Sequence, residues 1–224
     1  MRGYEMETLS GGAVAHVQGE CISFGPALSL SGARMHYERN AEIFGEGEPA
    51  QYVYRVLSGT VRAIRITSDG RRQILAFHLP GEIFGLELGA NHSFSVEAVT
   101  DCELVLVRRS IVDRAAAENP AAAHAVVKLL ASELSDARAH ALVLGRKGAS
   151  ERVAAFLLQL AERGASNELN LSMSRADIAD YLGLTIETVS RAFTAMERDH
   201  AIDLPSSRRV VVRNRAALAE LEAA

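Results

Sequence analysis

Apolar residues in the first half of the chain come in short runs, broken about every ten positions by turn residues. In the second half they recur every three or four. From about Ala33 to Val107 the breaks are Gly45 and Gly47, Ser58-Gly59, Asp69-Gly70, Pro80-Gly81, Gly89 to Asn91 and Thr100-Asp101. Valine, isoleucine, phenylalanine and tyrosine between such turns predict an all-β barrel or sandwich. Near Arg109 the period changes. Asn119-Pro120 marks a helix start, since proline is tolerated in a first turn. Val127, Leu130, Leu134, Ala137, Ala141 and Leu144 then recur at spacings of 3, 4, 3, 4 and 3. So narrow a seam fits a helix pairing with a copy of itself. Gly145 and Gly148 flank Arg146 and Lys147 as a hinge, and Glu151 to Arg163 predicts another amphipathic helix with Val153, Phe156, Leu157 and Leu160 inward.

Met173 to Arg198, MSRADIADYLGLTIETVSRAFTAMER, carries two short apolar-striped segments broken at Gly183. Ser174 is placed to cap the first, with Asp177 as the acidic partner of a capping box. Ile178, Ala179 and Leu182 form its inward stripe; Ala179 is small enough for a close helix crossing, and Gly183 accepts the left-handed backbone that ends a helix. Thr185 is placed to cap the second segment, whose stripe is Val189, Phe193 and Met196. Glu187, Ser190, Arg191 and Thr194 then share the opposite face, because residues three, four and seven apart are neighbours on a helix surface. That inventory suits the DNA major groove: arginine donates twice to guanine, glutamate accepts from cytosine N4 or adenine N6, and short hydroxyls reach a base edge or phosphate. The segment therefore reads as a helix-turn-helix.

Ile202 to Arg213, IDLPSSRRVVVR, follows with a turn cluster at Pro205, Ser206 and Ser207 and a β-branched run from Val210 to Val212. It predicts a hairpin wing. Between Ser206 and Arg215 stand Arg208, Arg209, Arg213 and Arg215 with no acid, a composition suited to phosphate contacts. Ser174, Arg175, Thr185, Thr188, Thr194, Arg208 and Arg209 are the expected backbone-positioning residues.

The 224 residues suit two modest domains. The formal net charge is −4, yet residues 1–145 hold 13 lysines and arginines against 17 acids while residues 146–224 hold 11 against 11. The acid belongs to the front module, so DNA binding is expected to rely on a focused patch and to depend on salt. Two cysteines, Cys21 and Cys102, cannot build a disulfide framework or a four-cysteine site. They are expected as packed thiols in a reducing cytoplasm. No apolar leader or membrane-length run is evident, so a cytoplasmic location with no membrane contact is expected. Residues 1–28 are small, polar and unpatterned and read as a loosely docked arm. The expected division is arm 1–28, β-domain 29–112, dimerisation helix 113–145 and winged helix-turn-helix 146–224.

In that order, and with DGRRQILAFHLPGEIFGLELG, ASERVAAFLLQLAER and MSRADIADYLGLTIETVSRAF as its motifs, the chain resembles the Crp/Fnr superfamily of bacterial transcription regulators over nearly its whole length. The last two motifs look closest to the FixK-like branch, regulators of microaerobic respiration and nitrogen fixation. The resemblance implies an α+β fold with an N-terminal β-roll or jelly roll like a cyclic-nucleotide-binding domain. It also implies the E-x-x-S-R pattern of the Fnr and FixK branches, on Glu187, Ser190 and Arg191, and hence TTGA-like half-sites bound by a homodimer that recruits RNA polymerase. The cyclic-AMP receptor branch has an arginine where this chain has Ile186.

The sensor chemistry departs from the better-known relatives. Nucleotide-binding members read G-E and, about ten residues later, R-S; here Leu86 follows Gly85 and His92 precedes Ser93, although Glu87 lies one residue beyond the expected acid. An iron–sulfur cluster with the usual four thiolates lacks its ligands, and the DNA module has no thiol. His36, His78, His92, His124 and His140 offer no specific axial pair for haem, with His78 and His92 expected on strands or loops and His124 and His140 on the helix surface. The expected protein is a non-enzymatic activator without cofactor or metal, controlled by abundance or an upstream sensor. A haem-based, nitric-oxide-responsive regulator of denitrification is the alternative. A cupin-type metalloenzyme using His36, Glu82, Glu87 and His92 is the remote one.

Overall fold

The apolar runs between turns fold into two antiparallel sheets. The computed structural model describes residues 20–26 and 28–223. Its strands are β1 (Cys21–Ser23), β2 (Ser29–Ser31), β3 (Ala33–Tyr37), β4 (Glu42–Phe44), β5 (Tyr52–Ser58), β6 (Val61–Ile66), β7 (Arg72–His78), β8 (Ile83–Phe84), β9 (Ser95–Ala98) and β10 (Cys102–Arg108). One sheet runs β3-β10-β5-β8 and the other β4-β9-β6-β7, while β1 and β2 form a separate hairpin. Val53, Val56, Val61, Ile74, Val96 and Leu104 are fully buried, so the valine-rich strands supply the core. Gly59 turns β5 into β6 at φ +85°, where a Cβ would meet the Asp101 carbonyl at 2.3 Å, so the site needs glycine for two reasons. The two four-stranded sheets make the β-roll or jelly roll expected of the first module.

The arm assignment needs correction at its end. Residues 1–19 lie outside the described residues, but Cys21–Ser23 pairs with Ser29–Ser31 and Ile22 is wholly buried. Ile22, Phe24 and Leu28 are all buried, so the apolar residues of this polar stretch go with the short hairpin. The helix assignment also shifts. Helix α1 (Arg109–Glu118) precedes α2 (Pro120–Arg146), so the boundary expected at residue 112 falls inside α1 and the break falls at Asn119. There the Asn119 Oδ1 accepts from the Ala121 amide at 2.9 Å and Pro120 takes the first helical position.

By contact density the chain divides into two units, residues up to Ile64 with Phe77–Lys128, and Arg65–Ala76 with Leu129–Ala224. The second holds α3 (Ala149–Arg163), β11 (Glu168–Asn170), α4 (Arg175–Leu182), α5 (Ile186–Arg198), β12 (Ile202–Ser206), β13 (Arg209–Val212) and α6 (Arg215–Ala223). Strand β13 lies between β11 and β12. Val153, Phe156, Leu157, Leu160, Ile178, Ala179, Leu182, Val189, Phe193 and Met196 all close into one core, so the three stripes read from the sequence meet. In the same unit Arg72 bridges Asp177 at 2.9 Å and Asp180 at 2.7 Å, and the Gln73 side-chain Nε2 donates to the Asp180 carbonyl at 2.7 Å.

Helix α4 begins with the expected capping box. The Asp177 amide donates to Ser174 Oγ at 3.1 Å and the Ser174 amide donates to Asp177 Oδ2 at 2.9 Å. It ends at Gly183, whose φ of 62° and ψ of 42° are left-handed. A Cβ at Gly183 would find ordinary contacts, 3.5 Å from Arg152 Nη1 and 3.8 Å from Leu144 Cδ2, so the objection to a side chain is backbone strain alone. Gly183→Ala should therefore lower stability by about 1–2 kcal/mol in chemical denaturation. An unchanged midpoint would show that the turn relaxes out of the left-handed region.

Candidate nucleic-acid interface

Helix α5 has one face in the core and one in solvent. Val189, Ala192, Phe193 and Met196 are buried, whereas Ile186, Glu187, Ser190, Arg191 and Thr194 are exposed. Thr185 caps the helix, its Oγ1 accepting from the Thr188 amide at 3.2 Å, and pairs with Thr188 Oγ1 at 3.0 Å. Glu187 sits in the first turn, where its own amide, the Thr185 hydroxyl and nearby Arg191 hold its carboxyl below the usual carboxylate range. It is a ready acceptor at neutral pH. Ser190, Arg191, Thr194, Ala195 and Arg198 line a shallow groove of about 290 Å³ along this face.

The hydroxyls behave differently from the expectation. Ser190 Oγ donates to the Ile186 carbonyl at 2.8 Å and Thr194 Oγ1 to the Ser190 carbonyl at 3.1 Å. Their protons are thus committed to the helix, and what they present outward is acceptor lone pairs. Phosphate, itself an acceptor, gains nothing from them in this rotamer, while adenine N6 or cytosine N4 does. Ile186, used in the sequence only as a departure from another branch, is 48% exposed beside Glu187. A large apolar side chain on a base-reading face is the chemistry that meets a thymine methyl. Its position one residue before the acid was the available signal.

Three of the expected positioning residues, Arg175, Arg208 and Arg209, are engaged with protein partners. Arg175 lies with its Cζ 3.4 Å from the centroid of the Phe193 ring, and its Nη1 is buried without an acceptor among the described residues. Burial holds the guanidinium below its usual pKa. Arg175 therefore ties α4 to α5 through a cation–π contact. Arg209 pairs with Glu168 at 2.7 Å and Arg213 with Asp203 at 2.5 Å, acids that lie outside the arginine-rich stretch in sequence but adjacent to it in the sheet. Arg208 Nη1 donates to the Ser172 carbonyl at 2.7 Å. The wing's positive field is accordingly weaker than a count of its arginines implies, because strand pairing brings acids alongside.

Along α2 the seam is open to solvent. Ala122 alone is buried among its described residues, Val127 is 60% and Leu134 51% exposed, and Ala137 and Ala141 are exposed. Leu130 and Leu144 are half-buried. Leu142, outside the heptad positions chosen from the sequence, is 64% exposed. His140 was expected on the surface; instead its ring stacks on Tyr181 at 4.0 Å, and burial lowers its pKa. A histidine at the helix end looks polar in sequence, but its flat ring covers a tyrosine once α4 lies beside it.

In the β-roll, His92 lies on a loop, as expected, and that loop buries it. It is 3% exposed, stacks on Phe44 at 3.6 Å, and its Nδ1 meets Glu87 Oε1 at 2.8 Å. The other Glu87 oxygen accepts from the Ser93 amide at 2.9 Å. Glu87 is thus spent on the residues that a shifted ribose or phosphate site would need, and this donor set does not fit a cyclic nucleotide. The four suggested cupin ligands divide likewise: His36 pairs with Glu103 at 3.0 Å and Glu82 accepts from the Leu79 amide at 3.0 Å. His78 stacks on Phe84 at 5.0 Å. Cys102 is buried, its Sγ donating to the Thr100 carbonyl at 3.0 Å and the Thr60 carbonyl at 3.2 Å, and burial pushes the thiol pKa up; Cys21 is half-buried.

Known proteins fit this picture. Residues 34–119 match the cyclic nucleotide-binding domain family and residues 151–221 the Crp-like helix-turn-helix domain family. The chain is 52% identical over 192 residues to the nitrogen fixation regulation protein FixK of Azorhizobium caulinodans, covering 83% of this chain and 77% of that one. It is 44% identical over 206 residues to the FixK protein of Rhizobium meliloti, covering 90% and 93%. The solved structure of FixK2 from Bradyrhizobium japonicum superposes with a TM-score of 0.85 at 46% identity, covering 87% of this chain and 99% of that one. These are regulators and not enzymes. With both modules matched and relatives this similar across most of its length, the chain belongs to the Crp/Fnr family of transcription regulators, and within it to the FixK type.

Proposed function

We propose that this regulator binds palindromic DNA with TTGA-type half-sites as a homodimer, in the cytoplasm, and recruits RNA polymerase to genes of nitrogen fixation or microaerobic respiration without an obligatory small ligand. The observation that carries the reading is the solvent face of α5. Arg191 is free to donate to guanine O6 and N7, Glu187 is an ionised acceptor for cytosine N4 or adenine N6, and Ser190 adds a second acceptor on the same side. Arg208 and Arg209 on the wing, with Thr185 and Thr188 at the helix start, lie where backbone contacts would fix the register. The exposed apolar positions of α2 support pairing with a second copy, which places two recognition helices about one helical turn, roughly 34 Å, apart on the duplex. The names of the relatives support the class of target genes. Independence from a cyclic nucleotide is supported by the Glu87–His92–Ser93 arrangement, which engages the nearest acid internally.

The reading is tested by fluorescence anisotropy of the purified protein on a TTGA-type palindrome, with and without cyclic AMP, at two salt concentrations. Unaided binding that weakens steeply with salt and ignores the nucleotide is expected. Binding only in the presence of the nucleotide would sink it. Arg191→Ala should cost about 1–3 kcal/mol on the preferred operator and relax selection at one base pair; equal loss on all duplexes would reduce Arg191 to a phosphate contact. Leu134→Glu should give a monomer in sedimentation and abolish tight binding to the full palindrome, because a charge cannot be buried unpaired at a helix seam. A monomer that still binds the palindrome tightly would refute pairing through α2.

A further inference from the structure

Arg152, in the second turn of α3, donates hydrogen bonds from all three guanidinium nitrogens to backbone carbonyls. Its Nε reaches the Lys147 carbonyl at 2.8 Å, Nη2 the Leu144 carbonyl at 2.8 Å and Nη1 the Leu182 carbonyl at 2.9 Å. Leu144 belongs to the last turn of α2, Lys147 to the hinge, and Leu182 is the last residue of α4. Carbonyls at helix C-termini have no partner within the helix and form the negative end of its dipole. Two such ends and the hinge between them therefore converge on one planar cation, half-buried and with its donors in a fixed fork.

The surroundings reinforce the junction. His140 of α2 stacks on Tyr181 of α4 with ring planes 12° apart. Lys147 Nζ donates to the Glu222 carbonyl at the end of α6 and lies 3.2 Å from the Glu222 carboxylate. Gly145, in the last turn of α2, and Gly148, the N-cap of α3, lie on either side of the connection at Lys147, and glycine leaves the backbone there more freedom than any other residue would. None of these groups belongs to the exposed face of α5. What they fix is α4, and the left-handed turn at Gly183 passes that orientation on to α5.

We propose that Arg152 is a positioning residue that sets the orientation of the α4–α5 reader on the end of α2, and thereby the operator spacing the dimer accepts. The proposal rests on the dimer-on-palindrome reading given above. In a two-fold dimer the recognition helices are carried on the ends of the paired α2 helices, so the angle at this junction fixes both their separation and their relative rotation. Adding one base pair between half-sites moves one of them by about 3.4 Å and turns it by about 34°. A stapled reader cannot follow that change. With the staple removed, the three carbonyls turn to water, the glycine hinge is free, and the reader adapts at the cost of preorganisation. Lysine keeps the charge but loses the planar fork, so it holds only part of the junction.

The test compares the full-length wild type, R152M and R152K on palindromes whose central spacer is shortened or lengthened by one and two base pairs, and on a duplex with one half-site. The wild type should favour one spacing over its neighbours by about tenfold or more. R152M should bind that operator roughly tenfold more weakly yet bind all spacings within about threefold of one another, with R152K between the two. Base preference on the single half-site should be the same for all three. A wild-type spacing profile in R152M overturns the proposal, and so does a loss of the same size on every duplex, the single half-site included. If R152M proves unfolded by circular dichroism, R152K is held to the same two criteria. A wild type that binds no palindrome at any spacing overturns the dimeric reading instead, and this proposal with it.

Discussion

The left-handed turn at Gly183 is the constraint from which the reader is built. It stops α4 after Leu182 and returns the chain at once, so that the buried stripes of α4, Ala179 among them, and of α5 share one core. A longer connection would let the two helices choose among several packings. The same turn leaves the Leu182 carbonyl pointing out of the helix end, where Arg152 collects it together with carbonyls from the end of α2 and the hinge. One residue in an unusual backbone region thus fixes both the shape of the motif and the means of anchoring it.

Helix α5 works because its two faces obey different rules. Inward, Val189, Phe193 and Met196 are held by close packing, and Arg175 closes the top of Phe193 with its guanidinium face. Outward, the side chains have few protein partners, and those they have are local: the serine and threonine hydroxyls bond back to the helix, and Glu187 is held ionised by the helix start. The outer face therefore arrives at DNA with its donor and acceptor pattern already set. The wing differs, since Arg209 and Arg213 are already paired with carboxylates, in solvated pairs that contribute little to stability.

The β-roll is self-satisfied where its nucleotide-binding relatives would be receptive. Glu87, His92 and the Ser93 amide satisfy one another under the Phe44 ring. Burying a carboxylate without partners is costly, so a pocket that supplies hydrogen-bond donors to its own acid is stable as it stands.

The capping box at Ser174, the cap at Thr185, the αL turn and the two faces of α5 are legible in the chain alone, because each depends on residues within about one helical turn of one another. Ser174, Asp177, Gly183, Thr185 and the stripe at Val189 and Phe193 all stand where local pattern placed them. The relatives confirm the family those motifs resembled. What long-range neighbours do is visible only in the folded chain: Glu168 and Asp203 neutralise wing arginines, Arg175 covers Phe193, His140 covers Tyr181, Ile22, Phe24 and Leu28 are buried beside a short hairpin, and Arg152 gathers three carbonyls. The reason is that charge pairs, ring stacks and carbonyl contacts have no period along the chain. They exist only where separate segments meet, and an arginine reads the same in sequence whether it meets phosphate, phenylalanine or the end of a helix.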